Sequence, residues 1–123
     1  MADGAGQLEG LTVLIVEDEY LIALEAQRMA EEAGASQVVL ANSVEEVRKL
    51  LADGPLMDVA LLDLKLGQED ATPLIAEIKA RNIPVIVATG MDMETPVDVG
   101  LLAKPYRETD FVSMIVSALR RTA

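Results

Sequence analysis

The chain has 123 residues, carries 21 acidic against 10 basic side chains for a net charge of −11, and contains no histidine, cysteine or tryptophan. Without imidazole or thiolate, serine-histidine triads, cysteine proteases, thiolate zinc sites, disulfide scaffolds and histidine phosphocarriers are all excluded. Strong acidity repels phosphate backbones and anionic bilayers, and runs such as Val59-Ala60-Leu61-Leu62 fall far short of the ~20 residues of a membrane span, so a cytoplasmic protein with no nucleic-acid and no membrane partner is expected.

The length suits one domain. Residues 1 to 10 are small, polar and glycine-rich and predict a flexible N-terminal arm, with the domain covering residues 11 to 122. Leu11 to Val16 is an apolar, β-branched run that stops at Glu17-Asp18-Glu19, the pattern of a strand buried on both faces. Ile22, Ala26, Met29 and Ala33 then recur at helical spacing, and Gly34 can supply a left-handed cap. Val38 to Ala41 reads as the second strand. In Ser43-Val44-Glu45-Glu46 a capping box opens the second helix, which Gly54-Pro55 ends. Met57 to Leu62 predicts the third strand, ending at Asp63. Pro73 fits the first turn of a helix with Thr72 as its cap and Ile75 and Ile78 turned inward. Pro84 to Ala88 and Val99 to Ala103 are the fourth and fifth strands, and the last helix runs from about Asp110 to Arg121 with Val112, Ile115, Val116 and Leu119 on its apolar face.

Strands alternating with helices predict an α/β fold, a flavodoxin-like doubly wound five-stranded parallel sheet of order 2-1-3-4-5. Parallel strands share one carboxyl edge, so the residues that follow them meet at one rim: Glu17 and Asp18, Asp63, Thr89 and Lys104. Singly, each reads as a turn acid, a turn hydroxyl or a surface charge. Together, three close carboxylates raise one another's pKa unless a cation neutralises them, and Mg²⁺ is the hard, oxygen-seeking ion that fits few carboxylates and a phosphate oxygen.

Val13-Leu14-Ile15-Val16-Glu17-Asp18-Glu19, Leu61-Leu62-Asp63, Ala88-Thr89-Gly90 and Ala103-Lys104-Pro105-Tyr106 resemble the signature segments of the bacterial two-component response-regulator receiver domain. The resemblance implies that Asp63 is the phosphoacceptor. It implies that Glu17, Asp18, Asp63 and the backbone carbonyl of Lys65 hold Mg²⁺, that Thr89 follows the phosphoryl group and that Lys104 is its counter-ion across a cis Lys104-Pro105 bond. It implies no enzyme in the ordinary sense but a Mg²⁺-dependent phosphoacceptor. The donor would be a sensor histidine kinase or phosphotransfer protein, and the output an unknown downstream protein.

Two departures from the family pattern stand out. Gly90 to Asp98 leaves room only for a shortened or disordered fourth helix, and Leu101 stands where the family carries its switching aromatic. Pro84-Val85-Ile86-Val87-Ala88-Thr89-Gly90-Met91 is also similar to the Pro-Phe-x-Phe-Ala-Thr-Gly-Tyr motif of a divergent receiver subfamily often paired with kinases of the HWE type. Because Ala123 directly follows the last helix, a stand-alone regulator is expected, signalling by partner binding or acting as a phosphate sink. The competing reading is a non-phosphorylated receiver-like interaction module. An Asp-x-Asp phosphatase is disfavoured by Lys65 in place of the second acid, and an FMN-binding flavodoxin by the missing phosphate loop and aromatics.

Overall fold

A computed structural model describes residues 6–89 and 99–122. Five strands form one parallel sheet: β1 (Thr12–Val16), β2 (Gln37–Ala41), β3 (Val59–Asp63), β6 (Val85–Thr89) and β7 (Gly100–Ala103), in the order β2-β1-β3-β6-β7. A separate two-stranded antiparallel hairpin, β4 (Lys65–Leu66) and β5 (Glu69–Asp70), follows β3. Counting only the strands of the main sheet, this is the 2-1-3-4-5 order expected from the alternation of apolar runs and helical patterns. The described helices are α1 (Tyr20–Glu32), α2 (Val44–Asp53), α3 (Pro73–Lys79) and α4 (Glu108–Thr122). The expected shortened or disordered fourth helix falls in residues 90–98, outside the described residues. No helix among the described residues is long and apolar enough to cross a membrane.

Successive residues of a strand face opposite sides, and here both sides are covered. Val13 and Ile15 of β1 join Val59 and Leu61 of β3 beneath α1 and α4, where Ala26, Met29, Phe111 and Ile115 complete one core layer. Leu14 and Val16 join Ala60 and Leu62 on the other face, with Val47 of α2 and Leu74 and Ile78 of α3. Pro73 starts α3 as expected, and its inward residues are Leu74 and Ile78, with Ile75 half-buried against the same layer.

The helix ends follow from local chemistry. α1 closes in a Schellman motif: the Ala35 N–H donates to the Ala30 carbonyl at 3.0 Å and the Gly34 N–H to the Glu31 carbonyl at 3.0 Å. Gly34 has φ +104°, and a Cβ there would lie 2.9 Å from the Gly6 Cα, so both conformation and space demand glycine. At α2, Ser43 Oγ accepts from the Glu46 N–H at 3.1 Å, as expected, while the returning Glu46 carboxylate takes the Asn42 N–H at 2.7 Å, one residue earlier than the usual box. Thr72 does not cap α3 with its side chain. Its hydroxyl and N–H both donate to Asp70 Oδ1, at 2.6 and 2.9 Å, the local turn an aspartate makes with the residue two positions on.

Order begins before Leu11. Leu8 is fully buried in the layer beneath α1 and α4, its N–H donates to the Ala33 carbonyl at 2.9 Å, and Glu9 bridges Ala35. A single leucine among small polar residues carries no periodicity, so its anchoring is invisible in the pattern. The part of the expected arm at residues 1–5 lies outside the described residues.

Candidate functional site

The register of the sheet places the site. Val16 pairs with Leu62, Asp63 with Ala88 and Thr89 with Ala103, so the residues leaving β1, β3 and β7 emerge on one rim. There Glu17, Asp18 and Asp63 each bring a carboxylate oxygen within 4.8 Å of the others. Lys104, directly after β7, reaches in from the edge strand, across β6. Its Nζ donates to Glu17 Oε1 at 2.8 Å and to Asp63 Oδ2 at 2.7 Å. The Lys104-Pro105 peptide bond is cis.

Each of the three acids also holds one backbone N–H. Glu19 donates to Glu17 Oε2 at 3.2 Å, Lys65 to Asp63 Oδ1 at 3.0 Å and Gly67 to Asp18 Oδ2 at 2.8 Å. Glu17 and Asp63 thus use both oxygens within the protein. Asp18, the most exposed of the three, keeps Oδ1 without a hydrogen-bond donor among the described residues.

Burial and pairing oppose each other here. Glu17 is the one charged residue that is buried among the described residues. Burial lifts its carboxyl above the ordinary carboxylate range, reinforced by the charge of Asp63 and only partly offset by the hydrogen bonds from Lys104 and Glu19. Lys104 goes the other way in balance: burial works to lower its ammonium, and its hydrogen bonds to Asp63 and Glu17 outweigh that and hold it above the ordinary lysine value. The difference is physical, because Glu17 is nearly enclosed with one cation to share, while the half-buried Lys104 has two anions to itself. Three crowded oxygen donors, one of them buried at a cost, suit a small hard cation.

Next to Lys104, Tyr106 stacks on Phe111 with ring centroids 5.9 Å apart and planes inclined by 18°. Burial, followed by the nearby Glu17 charge, pushes the Tyr106 phenol up to about 12. A mostly apolar groove of about 450 Å³, lined by Leu21, Ile22, Met29, Pro105 and Tyr106, opens beside the ammonium between α1 and the start of α4. Leu21, in its lining, is exposed by 79%, and Tyr20, the residue before it, by 70%.

The structure thus brings Glu17, Asp18, Asp63 and Lys104 together. Lys65 stands at the start of β4 with its N–H on Asp63. Thr89 ends β6 beside Ala103, and its side chain lies outside the described residues. Leu101 is an outward-facing residue of the edge strand β7. The sequence reasoning missed the β4–β5 hairpin and the Gly67 amide on Asp18. A glycine leading a two-residue turn, Gly67-Gln68, was the available signal.

An acid-lined switch point with a lysine across it, on a sheet of this order, defines a receiver-type α/β domain. The response regulator receiver domain family matches residues 13–115, and the chain belongs to that family. The phyllosphere-induced regulator PhyR of Methylorubrum extorquens is 27% identical over 114 residues, covering 87% of this chain and 43% of its own length. The chain therefore spans less than half of that curated relative. A response regulator receiver protein from Sinorhizobium medicae superposes with a TM-score of 0.81 at 20% identity, over 94% of this chain and 99% of the other. The response regulator PhyR from Brucella abortus gives a TM-score of 0.77 at 25% identity, over 90% of this chain and 48% of the other.

Proposed function

We propose that this chain is a cytoplasmic response-regulator receiver that takes a phosphoryl group onto Asp63 from a sensor histidine kinase or phosphotransfer protein. The observation that carries the proposal is the position of Lys104 Nζ, 2.8 Å from Glu17 and 2.7 Å from Asp63 at the carboxyl rim. That arrangement puts a nucleophilic carboxylate beside a fixed cation, as phosphoryl transfer requires.

In this reading an Asp63 carboxylate oxygen forms the new P–O bond while the P–N bond to the donor imidazole breaks, and the imidazole nitrogen keeps the bonding pair. Lys104, released from Asp63 by the transfer, follows the charge onto a phosphoryl oxygen. Thr89 offers its hydroxyl to another phosphoryl oxygen. Glu17, Asp18, Asp63 and the Lys65 carbonyl would hold Mg²⁺, which when bound neutralises charge on the transferred group. The apolar groove beside Lys104 supplies a seat for the donor protein, with the exposed Leu21 in its lining. The phosphorylated chain then binds a downstream partner or drains phosphoryl groups from a shared kinase. The similarity to part of the response regulator PhyR supports this placement.

The test is acyl-phosphate mapping after incubation with acetyl phosphate or candidate kinases in the presence of Mg²⁺. Label is expected on Asp63 and none on Asp63→Ala. Undiminished labelling of that variant would falsify the assignment. Titration into a kinase reaction containing a second regulator separates partner binding from phosphate draining.

A further inference from the structure

The hairpin after β3 has a design that the family reading does not account for. Its register pairs Lys65 with Asp70 and Leu66 with Glu69, leaving Gly67-Gln68 as a two-residue turn. Gly67 has φ +61°, and Gln68 is not among the positive-φ residues, the combination of a type II′ turn with glycine leading. The hairpin is bolted down on one side by Leu64, Leu66 and Ala71, all buried in the layer beneath α2 and α3. The Ala71 N–H closes its base on the Leu64 carbonyl at 2.7 Å, and Glu69 Oε1 accepts the Val44 N–H at 3.2 Å, tying its second strand to the start of α2. Held on both flanks, the turn points the Gly67 N–H at Asp18 Oδ2 at 2.8 Å.

We infer that Gly67 is a positioning residue: its amide occupies one oxygen of Asp18, so that Asp18 meets a cation through Oδ1 alone and the site favours Mg²⁺ over Ca²⁺. This rests on the metal site proposed above. A backbone donor on an anchored turn neither titrates nor swings away, so the choice of oxygen is built in. One oxygen per carboxylate suits the tight octahedral shell of Mg²⁺, whereas Ca²⁺ gains from carboxylates that close on it with both oxygens. Outer partners of metal ligands act on affinity in this way.

The experiment compares Gly67→Val, Gly67→Asn and Gly10→Val by titration calorimetry with magnesium and with calcium chloride. Valine is barred from φ +61°, so the turn rearranges and the amide leaves Asp18, while asparagine tolerates that conformation. Space is not the issue, since a Cβ on Gly67 would meet Asp18 Oδ2 at an ordinary 3.8 Å. Gly10, at φ +84° with nothing within 4 Å of a Cβ, imposes the same backbone constraint away from the acids.

Gly67→Val is expected to bind Mg²⁺ about tenfold more weakly and to lose much of its preference over Ca²⁺, with the other two variants within about twofold of the native chain. In the native chain without metal, the Gly67 amide proton is expected to exchange slowly. Native Mg²⁺ affinity in Gly67→Val, an equal loss in Gly10→Val, or rapid exchange at Gly67 overturns the positioning role alone. Absence of any Mg²⁺ binding by the native chain overturns the metal reading, and this proposal with it.

Discussion

Lys104 Nζ and Asp63 Oδ2 lie 2.7 Å apart although the residues are 41 positions apart in the chain, and the same ammonium also holds Glu17. This one cation is what lets Glu17 stay buried. Removing a partner from a buried pair costs about 3 to 5 kcal/mol, and the partial exposure of Lys104 and Asp63 reduces that to about 1 to 2 kcal/mol for Lys104→Met. The loss should show in denaturant unfolding without metal and shrink when Mg²⁺ is added. It should also depend on pH. The folded-state pKa of Glu17 is already above its ordinary 4.5, and without Lys104 it rises further. The folded variant then binds a proton that the unfolded chain has released, so its stability falls as pH climbs through the interval between the two values, and acidification restores it. A variant as stable as the native chain, at every pH and with or without Mg²⁺, would show that the ion pair carries no weight.

Most of the fold was legible because burial on both faces writes a strand as an uninterrupted apolar run. Leu14-Ile15-Val16 and Ala60-Leu61-Leu62 each end at an acid, and a shared rim then follows from parallel topology alone. The acids and Lys104 were legible for the same reason, lying at or just past the carboxyl end of a strand. What escaped was local and short. Lys65-Leu66 and Glu69-Asp70 are strands of two residues each, too brief for any period to show. The Gly67 donor is a backbone group with no side chain to announce it. Thr72 looked like a cap because threonine commonly is one, but Asp70, two residues earlier, took both its hydroxyl and its amide.

Tyr106 links the site to the core, and its phenol sets an alkaline limit on stability. Its folded value near 12 exceeds the ordinary 10.0 because burial and the Glu17 charge disfavour the phenolate. Between those values the unfolded chain has lost the proton and the folded chain keeps it, so stability falls as pH rises. Two pKa units correspond to about 2.7 kcal/mol, and residual exposure reduces the expected loss to about 1 to 2 kcal/mol. Tyr106→Phe should remove this loss. Thermal unfolding of both proteins across the alkaline range tests it, and parallel curves would contradict it.

Ser43 governs the start of α2. Its Oγ takes the Glu46 N–H at 3.1 Å, and Glu46 in return takes the Asn42 N–H at 2.7 Å. Ser43→Ala should cost about 1 kcal/mol, as caps of this kind do, and Ser43→Asp should cost much less, since aspartate accepts the same bond. Urea unfolding at neutral pH measures both. Equal losses in the two variants would mean that the hydroxyl, not its role as an acceptor, matters.

Leu8 offers the sharpest test of where the domain begins. A flexible arm would tolerate any change at this position, whereas Leu8 is fully enclosed in the layer that also holds Ala33 and Ala30. Its backbone is fixed too, by the N–H to Ala33 at 2.9 Å and by the Leu11 N–H to its own carbonyl at 3.0 Å. Truncating a buried leucine removes its transfer energy and leaves a cavity, together about 2 to 5 kcal/mol for Leu8→Ala. The turns around Leu8, outside the main sheet, can relax into the gap more readily than a central strand, so the lower half of that range is expected. Gln7→Ala, at an exposed neighbour, should change stability by less than about 0.5 kcal/mol. Urea midpoints that coincide for Leu8→Ala and Gln7→Ala would return residues 6–10 to the status of an arm.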